Sequence, residues 1–182
     1  MIPVARPVIG WSERRAVDRV LRSGGLAQGP EVARFEEEFS QELVEGAPVV
    51  AVNSGTSGQH LGLLARGVGP GDEVIVPSFT FAATANAVAL TGAVPVFCDI
   101  DPLTYTLDIG HLKSLIGPKT LGVMPVHLFG HPARMLELEE VARAHGIQVF
   151  EDAAQAHGAS VEGRKVEPSG TSQCLACIPQ KI

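Results

Sequence analysis

A predicted strand-to-helix junction near residue 54 carries groups that could bind an anion. Ser54, Gly55 and Thr56 follow a short apolar run at residues 48–52, which predicts a buried strand, and they open a predicted helix at residues 55–66. Glycine lets the backbone turn tightly, and the N–H groups of a first helical turn can hold a phosphate. A simple N-cap by the Ser54 hydroxyl also explains these residues. The junction is neither a Walker A loop nor G-x-G-x-x-G, which disfavours ATP and dinucleotide binding.

A second candidate group follows a later predicted strand at residues 147–150. The Asp152 carboxylate could accept a hydrogen bond from a ligand nitrogen and keep that nitrogen protonated. It could instead cap the segment that begins at Ala153. Gln155, three residues further on, could face the same cleft.

Two aromatic residues flank Thr80, just past another predicted strand. Phe79 and Phe81 could stack on a flat ring, in a chain where only 5% of residues are aromatic. Packing in the core is the commoner fate of a phenylalanine.

The remaining candidates for metal binding or nucleophilic chemistry are weaker. His127 and His131 are four residues apart, but Gly130 and Pro132 predict a turn there, so we expect no helical metal site. The pair Cys174 and Cys177 has no second pair, which disfavours zinc. We therefore predict no metal. Lys181 is next to last and is either a solvated charge or, with a lowered pKa, a Schiff-base former.

Alternating helices and strands must position these groups. Short apolar runs of the length of buried strands alternate with amphipathic stretches, which predicts a three-layer α-β-α fold with a mostly parallel sheet. Ligands bind such sheets beyond the carboxyl ends of the strands. We predict helices at residues 12–22, 30–45, 55–66, 81–90, 108–115 and 133–145, strands at 48–52, 73–76, 94–97, 121–126 and 147–150, and a hairpin at 161–166.

Composition excludes several classes of protein. Apolar residues make up 45% of the 182 residues, as in a packed globular protein, and the formal net charge of −6 disfavours binding to nucleic acid. We expect no signal peptide and no membrane helix, because the longest uncharged stretch contains many polar residues and prolines. Three cysteines argue against a disulfide framework, so the cytoplasm is the expected compartment.

Six passages together resemble a known family. The chain is similar to the pyridoxal 5′-phosphate (PLP) sugar aminotransferases of the DegT/StrS type, within the fold-type-I aspartate aminotransferase superfamily. The matching passages, in the family's order and spacing, are GGLAQGPEVARFEEEF (24–39), NSGT (53–56), GPGDEVIVPSFTFAATA (69–85), GAVPVFCDID (92–101), PVHLFGHP (125–132) and EDAAQAHG (151–158).

The resemblance assigns roles to individual residues. It implies that Gly55 and Thr56 hold the cofactor phosphate and that Phe81 stacks on the pyridine ring. It implies that Asp152 pairs with the protonated ring nitrogen, and that Gln155 binds the phenolic oxygen. Lys181 falls where the family has its Schiff-base lysine.

The same resemblance implies a reaction and partners. Family members move an amino group, usually from L-glutamate, onto a nucleotide-linked keto sugar, and they work as homodimers. A related branch performs PLP-dependent sugar dehydration and has histidine at the lysine position, so Lys181 favours the transaminase. The rival hypotheses are a non-catalytic remnant that only binds the cofactor, and a plain nucleotide-binding domain of flavodoxin or Rossmann type.

The tail departs from the family. Residues 167–182 read EPSGTSQCLACIPQKI, and Ala176 replaces a serine that touches the phosphate in the family. The tail can be back-translated into codons and read again from the last base of the Glu167 codon. With a permitted choice of codons, this shifted frame encodes AFGHVAVFSLYPTKN, which restores the family pattern. The hypothesis is a frameshift or a sequence error near Glu167, with residues 1–166 as a partial PLP-binding large domain that includes helices within residues 1–46.

Chain length is the other departure. Family members continue into a small C-terminal domain after the lysine, which the resemblance predicts to be absent here. Because that domain builds much of the substrate pocket, we expect little or no turnover by this chain.

Overall fold

The structure is a computed structural model that describes residues 8–161, 163–165 and 172–176, with side chains through residue 161. The chain divides into two compact units, and the division falls between Ala51 and Val52. The boundary expected at residues 166 and 167 lies outside the described residues.

The described residues of the first unit form two helices of 13 residues, α1 (Trp11–Ser23) and α2 (Pro30–Glu42). Helix α1 begins after Gly10, whose N–H donates to Glu13 Oε2 at 2.6 Å. Proline at the first position of α2 suits a helix start, where its missing N–H has no helical partner. Both predicted helices are therefore confirmed, although α2 ends three residues earlier than predicted.

The predicted strand at residues 48–52 is wrong. These residues lie outside any strand, and the Val50 side chain is 75% exposed. The backbone N–H of Ala51 donates to Glu36 Oε1 at 2.8 Å, so a side chain from α2 takes the place of a neighbouring strand. An apolar run alone does not provide a pairing partner, which is why the pattern failed here.

Among the described residues, no helix is long and apolar enough to cross a membrane.

The second unit alternates helices and strands as predicted. The elements of this unit are α3 (Gly55–Ala65), β1 (Glu73–Pro77), α4 (Ala83–Leu90), β2 (Val94–Cys98), α5 (Ile109–Leu115), β3 (Thr120–Val123), a 3₁₀ turn (Leu128–Gly130), α6 (Met135–His145), β4 (Gln148–Asp152), β5 (Ser160–Val161), β6 (Arg164–Lys165) and β7 (Ser172–Ala176).

Five of the described strands form one sheet in the order β2-β1-β3-β4-β7, and every pair in it is parallel. Strand β7 comes from the tail that departs from the family pattern, and it extends the sheet beside β4. Strands β5 and β6 form a separate antiparallel pair, which confirms the described part of the predicted hairpin. Glu162 and Val166 of that hairpin lie outside the described residues.

The sheet is covered on both faces, which confirms the three-layer α-β-α architecture. Val74 and Val76 of β1 pack with residues of α3 and α4, and Ile75 between them packs with residues of α5 and α6. All three side chains are fully buried. A parallel strand buried on both faces reads as a continuous apolar run, which is why β1 is evident in the sequence.

Gly122 in β3 marks a close approach between neighbouring strands. A Cβ atom at this position would lie 2.5 Å from Cε2 of the Phe150 ring and 2.8 Å from the carbonyl oxygen of Gln148. The Phe150 side chain is fully buried, and a backbone oxygen in β4 has little freedom to move. The packing of β3 against β4 therefore requires glycine here.

We predict that Gly122→Ala lowers the free energy of unfolding by about 1–3 kcal/mol, because an extra methyl group overfills a packed core. Urea unfolding measures the change. Gly117→Ala is the matched control, since a Cβ there meets no atom within 4 Å, and we expect a change within about 0.5 kcal/mol. Equal losses for the two variants would contradict the prediction.

Candidate active site

The carboxyl end of β4 places Asp152 in the interior at the edge of the sheet where ligands bind. Its backbone N–H donates to the carbonyl oxygen of Pro125 at 2.9 Å, and its own carbonyl oxygen accepts from the N–H of His127 at 3.1 Å. These bonds tie Asp152 to the segment that follows β3. The residue is only 6% exposed, so its carboxyl group is fixed in position and shielded from water.

Three donors reach the Asp152 carboxyl group. Gln59 Nε2 in α3 donates to Oδ2 at 2.5 Å, and Thr84 Oγ1 in α4 donates to the same oxygen at 3.1 Å. The N–H of Ala154 donates to Oδ1 at 3.2 Å. Two side chains therefore share Oδ2, whereas Oδ1 has a single long bond from the part of the chain that the structure describes and retains capacity to accept another.

Burial raises the pKa of the Asp152 carboxyl above its ordinary value of 3.8. The hydrogen bonds from the Ala154 N–H, Thr84 and Gln59 oppose this rise because they stabilise the ionised form. Burial is the larger effect. A buried carboxylate of this kind is stabilised most by a cationic partner, so the site favours a ligand that brings a protonated nitrogen.

The first turn of α3 combines a side-chain cap with backbone donors that have no partner inside the helix. The Ser54 hydroxyl accepts from the N–H of Ser57 at 3.1 Å, which confirms the N-cap interpretation. The N–H groups of Gly55 and Thr56 have no partner within the helix at such a start. Capping and anion binding are therefore compatible, because they use different N–H groups.

Helix α3 connects this turn to Asp152. Gln59 follows Thr56 by three residues, a rise of about 4.5 Å along the helix axis. Since Gln59 contacts the Asp152 carboxyl directly, the structure brings the possible anion cradle and the carboxyl group to the same end of the sheet.

The aromatic pair after β1 is not buried in the core. Phe79 is 50% exposed and Phe81 is 74% exposed, so core packing is the wrong interpretation for both. Phe79 packs on Tyr105 with ring centroids 5.9 Å apart. The Phe81 ring remains largely accessible and could stack on a flat ligand.

Gln155 is oriented by a loop in an unusual conformation. The N–H of Phe129 donates to Gln155 Oε1 at 2.7 Å. Phe129 has φ of 56°, in the left-handed region that residues other than glycine seldom adopt. Because the amide oxygen is engaged, the Nε2 group of Gln155 is the end of the amide that can donate to a ligand oxygen.

His127 is fully buried and uses both ring nitrogens. Nδ1 lies 3.0 Å from the N–H of Ala133 and accepts its hydrogen bond, and Nε2 lies 3.3 Å from Glu151 Oε2. The ring therefore carries its proton on Nε2. No group of three His, Cys, Asp or Glu side chains suited to a metal ion occurs among the described residues.

Sequence reasoning missed two residues of this site, Gln59 and Thr84. Both are almost fully buried, at 2% and 1% exposure. Each interrupts the apolar stripe of its helix, since Leu63 lies four residues after Gln59 and Val88 lies four residues after Thr84. A polar residue within an apolar stripe is the signal that could have identified them. Lys181, the predicted Schiff-base residue, lies outside the described residues.

We predict that Asp152→Asn gains stability relative to the wild type as pH rises from about 4 to 8. The folded-state pKa of Asp152 is raised, so in that window the unfolded wild type releases its proton first and wild-type stability falls. Asparagine cannot ionise and lacks this loss. Urea unfolding at several pH values measures the difference.

Glu140→Gln is the control, because it also replaces one carboxyl group by an amide, at an exposed position of α6. Its free energy of unfolding should vary with pH as that of the wild type does. A wild type that gains stability over Asp152→Asn as pH rises would contradict the prediction.

Comparison with known proteins identifies the family of the chain. A profile of the DegT/DnrJ/EryC1/StrS aminotransferase family matches residues 7–182. GDP-perosamine synthase of Caulobacter vibrioides is 43% identical over 100% of this chain and 49% of its own length. UDP-2-acetamido-2-deoxy-3-oxo-D-glucuronate aminotransferase of Pseudomonas aeruginosa is 42% identical over 91% of this chain and 46% of its own length.

A solved structure is similar over the same region. The crystal structure of DesV from S. venezuelae in complex with a ketimine intermediate is 46% identical, with a TM-score of 0.82, and covers 86% of this chain and 42% of that one. The chain thus spans about half the length of the curated relatives it matches. The chain belongs to the DegT/DnrJ/EryC1/StrS aminotransferase family, whose cofactor is PLP.

Proposed function

We propose that this chain carries the cofactor-binding part of an aminotransferase that moves an amino group from L-glutamate to a nucleotide-linked keto sugar. The observation that carries the proposal is the Asp152 carboxyl group, which is buried and bonded to the helix that begins at Gly55. An anion cradle and a buried carboxylate joined by one helix suit a cofactor with a phosphate and a ring nitrogen.

The names of two relatives support the substrate class. One relative is named as the synthase of a GDP-linked sugar, and the other as an aminotransferase of a UDP-linked oxo sugar. A keto carbon on a nucleotide-linked sugar is the shared chemistry, so we propose the class and leave the nucleotide open.

The residues of this chain fit PLP by the chemistry of their donors and acceptors. Asp152 Oδ1 has a free acceptor position for the N–H of a protonated ring. The N–H groups of Gly55 and Thr56 would bind the phosphate. The exposed face of Phe81 would stack on the ring, and Gln155 Nε2 would donate to the phenolic oxygen.

When bound, PLP supplies an electron sink that eases removal of a proton from the substrate carbon that bears the amine. Asp152 would sustain this chemistry by holding the proton on the ring nitrogen, since its carboxylate and that N–H form a charge-assisted bond. The phosphate contacts would fix the position of the ring, and Phe81 would cover one face from water.

Proton transfer at the substrate carbon requires a base that is close to it. We propose Lys181 for this role, because the family resemblance places its Schiff-base lysine at this position. A neutral amine can take the proton from one carbon and return it to another. The resemblance also implies a homodimer, and light scattering of the purified chain tests the dimer. We further propose that the protein works in the cytoplasm.

We predict that the chain binds pyridoxamine phosphate (PMP), the amine form of the cofactor, and that Asp152→Asn weakens this binding by about 10- to 100-fold. A hydrogen bond to a charged group contributes about 1.5–3 kcal/mol, which converts to this range. PMP forms no covalent bond with a lysine, so the measurement does not require Lys181 to act as a Schiff-base residue. Isothermal titration at pH 7.5 gives the dissociation constants.

Glu140→Gln serves as the control and should bind PMP as the wild type does, because this exposed residue lies on α6, which covers the other face of the sheet. Equal PMP affinity in the wild type and Asp152→Asn would contradict the role of the carboxylate.

Transfer of the amino group is tested with ¹⁵N-labelled L-glutamate and a panel of GDP-, UDP- and dTDP-linked keto sugars. Because we expect little turnover, mass spectrometry should detect the label at no more than a low level in one amino-sugar product, and Lys181→Ala should abolish it. Binding of PMP without transfer to any sugar would reduce the proposal to a cofactor-binding module.

A further inference from the structure

Gln59 lies on the buried face of α3, where an apolar residue is expected. It lies on the inner face of the helix, 2% exposed, and the neighbouring Leu63 belongs to the apolar cluster beneath the sheet. Its Oε1 atom is buried and has no hydrogen-bond partner among the described residues. An unsatisfied buried acceptor is unfavourable for folding, so stability of the core does not explain a glutamine here.

The contact with Asp152 does explain the residue. Gln59 Nε2 donates to Asp152 Oδ2, and a flipped amide would instead oppose Oε1 and a carboxylate oxygen, two acceptors. The carboxyl group therefore dictates the orientation of the amide. The orphaned Oε1 is the consequence of presenting Nε2 to Asp152.

The two side-chain donors leave the carboxyl oxygens unequal. Gln59 and Thr84 both bond to Oδ2, from two different helices, whereas among the described residues Oδ1 receives only the long bond from Ala154. Both side-chain donors are neutral, so they stabilise the ionised form without neutralising its charge. The carboxylate therefore keeps its negative charge, which both oxygens share, and Oδ1 is the oxygen with room for a further donor.

We propose that Gln59 is a positioning residue for the reaction: its amide holds Asp152 ionised and turned so that Oδ1 meets the ring nitrogen of the cofactor. The inference rests on the proposed function for the identity of that ring. It adds that Gln59 acts through Asp152.

Other titratable groups lie near Asp152, so a pH effect must be assigned to Asp152 and distinguished from theirs. His127 and Glu151 are bonded to each other beside it, at 3.3 Å, on the segment after β3 and on β4. The contacts from α3 and α4 to the carboxyl group come from neutral side chains. An Asp152→Asn background keeps His127 and Glu151 and removes only the carboxyl group.

The first test measures urea unfolding of the unloaded chain from pH 4 to 8, for the wild type and Gln59→Met, each with and without Asp152→Asn. Removing the donor raises the folded-state pKa of Asp152. The free energy of unfolding that Gln59→Met loses is therefore small at low pH and grows as pH rises. We expect the unfolding equilibrium constant of Gln59→Met, relative to the wild type, to rise about ten-fold across this range. In the Asp152→Asn background the effect should be independent of pH.

A loss that is equal at every pH, or that varies with pH even without the carboxyl group, would overturn the inference. Gln59→Glu is the second variant, in case methionine prevents folding. It keeps the size of the side chain and brings a second carboxyl group to Asp152, so its loss should grow still more steeply with pH. A flat profile for this variant would equally overturn the inference.

The second test measures PMP affinity at pH 7.5. Gln59→Met should weaken binding about ten-fold, while Leu64→Met, which introduces the same residue at a 45% exposed position of α3, should leave it unchanged. PMP binding that is indifferent to Gln59→Met overturns this inference alone. A wild type that does not bind PMP overturns the proposed function and the ring assignment with it, whatever the unfolding data show.

Discussion

The burial of the Asp152 carboxyl group is the constraint on which the site depends. Asp152 can be buried only because the backbone fixes it at the end of β4 and because α3 and α4 each supply a donor. These bonds connect two helices and the sheet at one point. The same geometry brings the start of α3 to the place where the carboxyl group lies, so the packing of the fold and the arrangement of the site have one origin.

The centre of the second unit could be predicted because β1 is buried on both faces. Val74, Ile75 and Val76 are apolar without interruption, since the helices on both sides of the sheet must be packed. Residues 48–52 show the same composition but remain outside the sheet, with the Ala51 N–H bonded to a glutamate side chain. An apolar composition shows that a segment can be buried. Whether the segment pairs with a neighbouring strand depends on distant parts of the chain.

The site was predictable where a residue follows a strand and was missed where it lies inside a helix. Asp152 and Phe81 follow strands, so the general geometry of parallel sheets indicated them. Gln59 and Thr84 lie within apolar stripes, and their importance appears only when the carboxyl group they contact is known. The orientation of Gln155 likewise depends on the left-handed backbone of Phe129, which no local pattern indicates.

The proposed contacts at this site would together have a stereochemical consequence. A ring whose nitrogen meets Asp152, whose phosphate meets the start of α3 and one of whose faces rests on Phe81 would have a single pose. Its other face would then be the one that an incoming substrate meets. A proton delivered from one side only would create one configuration at the new carbon–nitrogen centre.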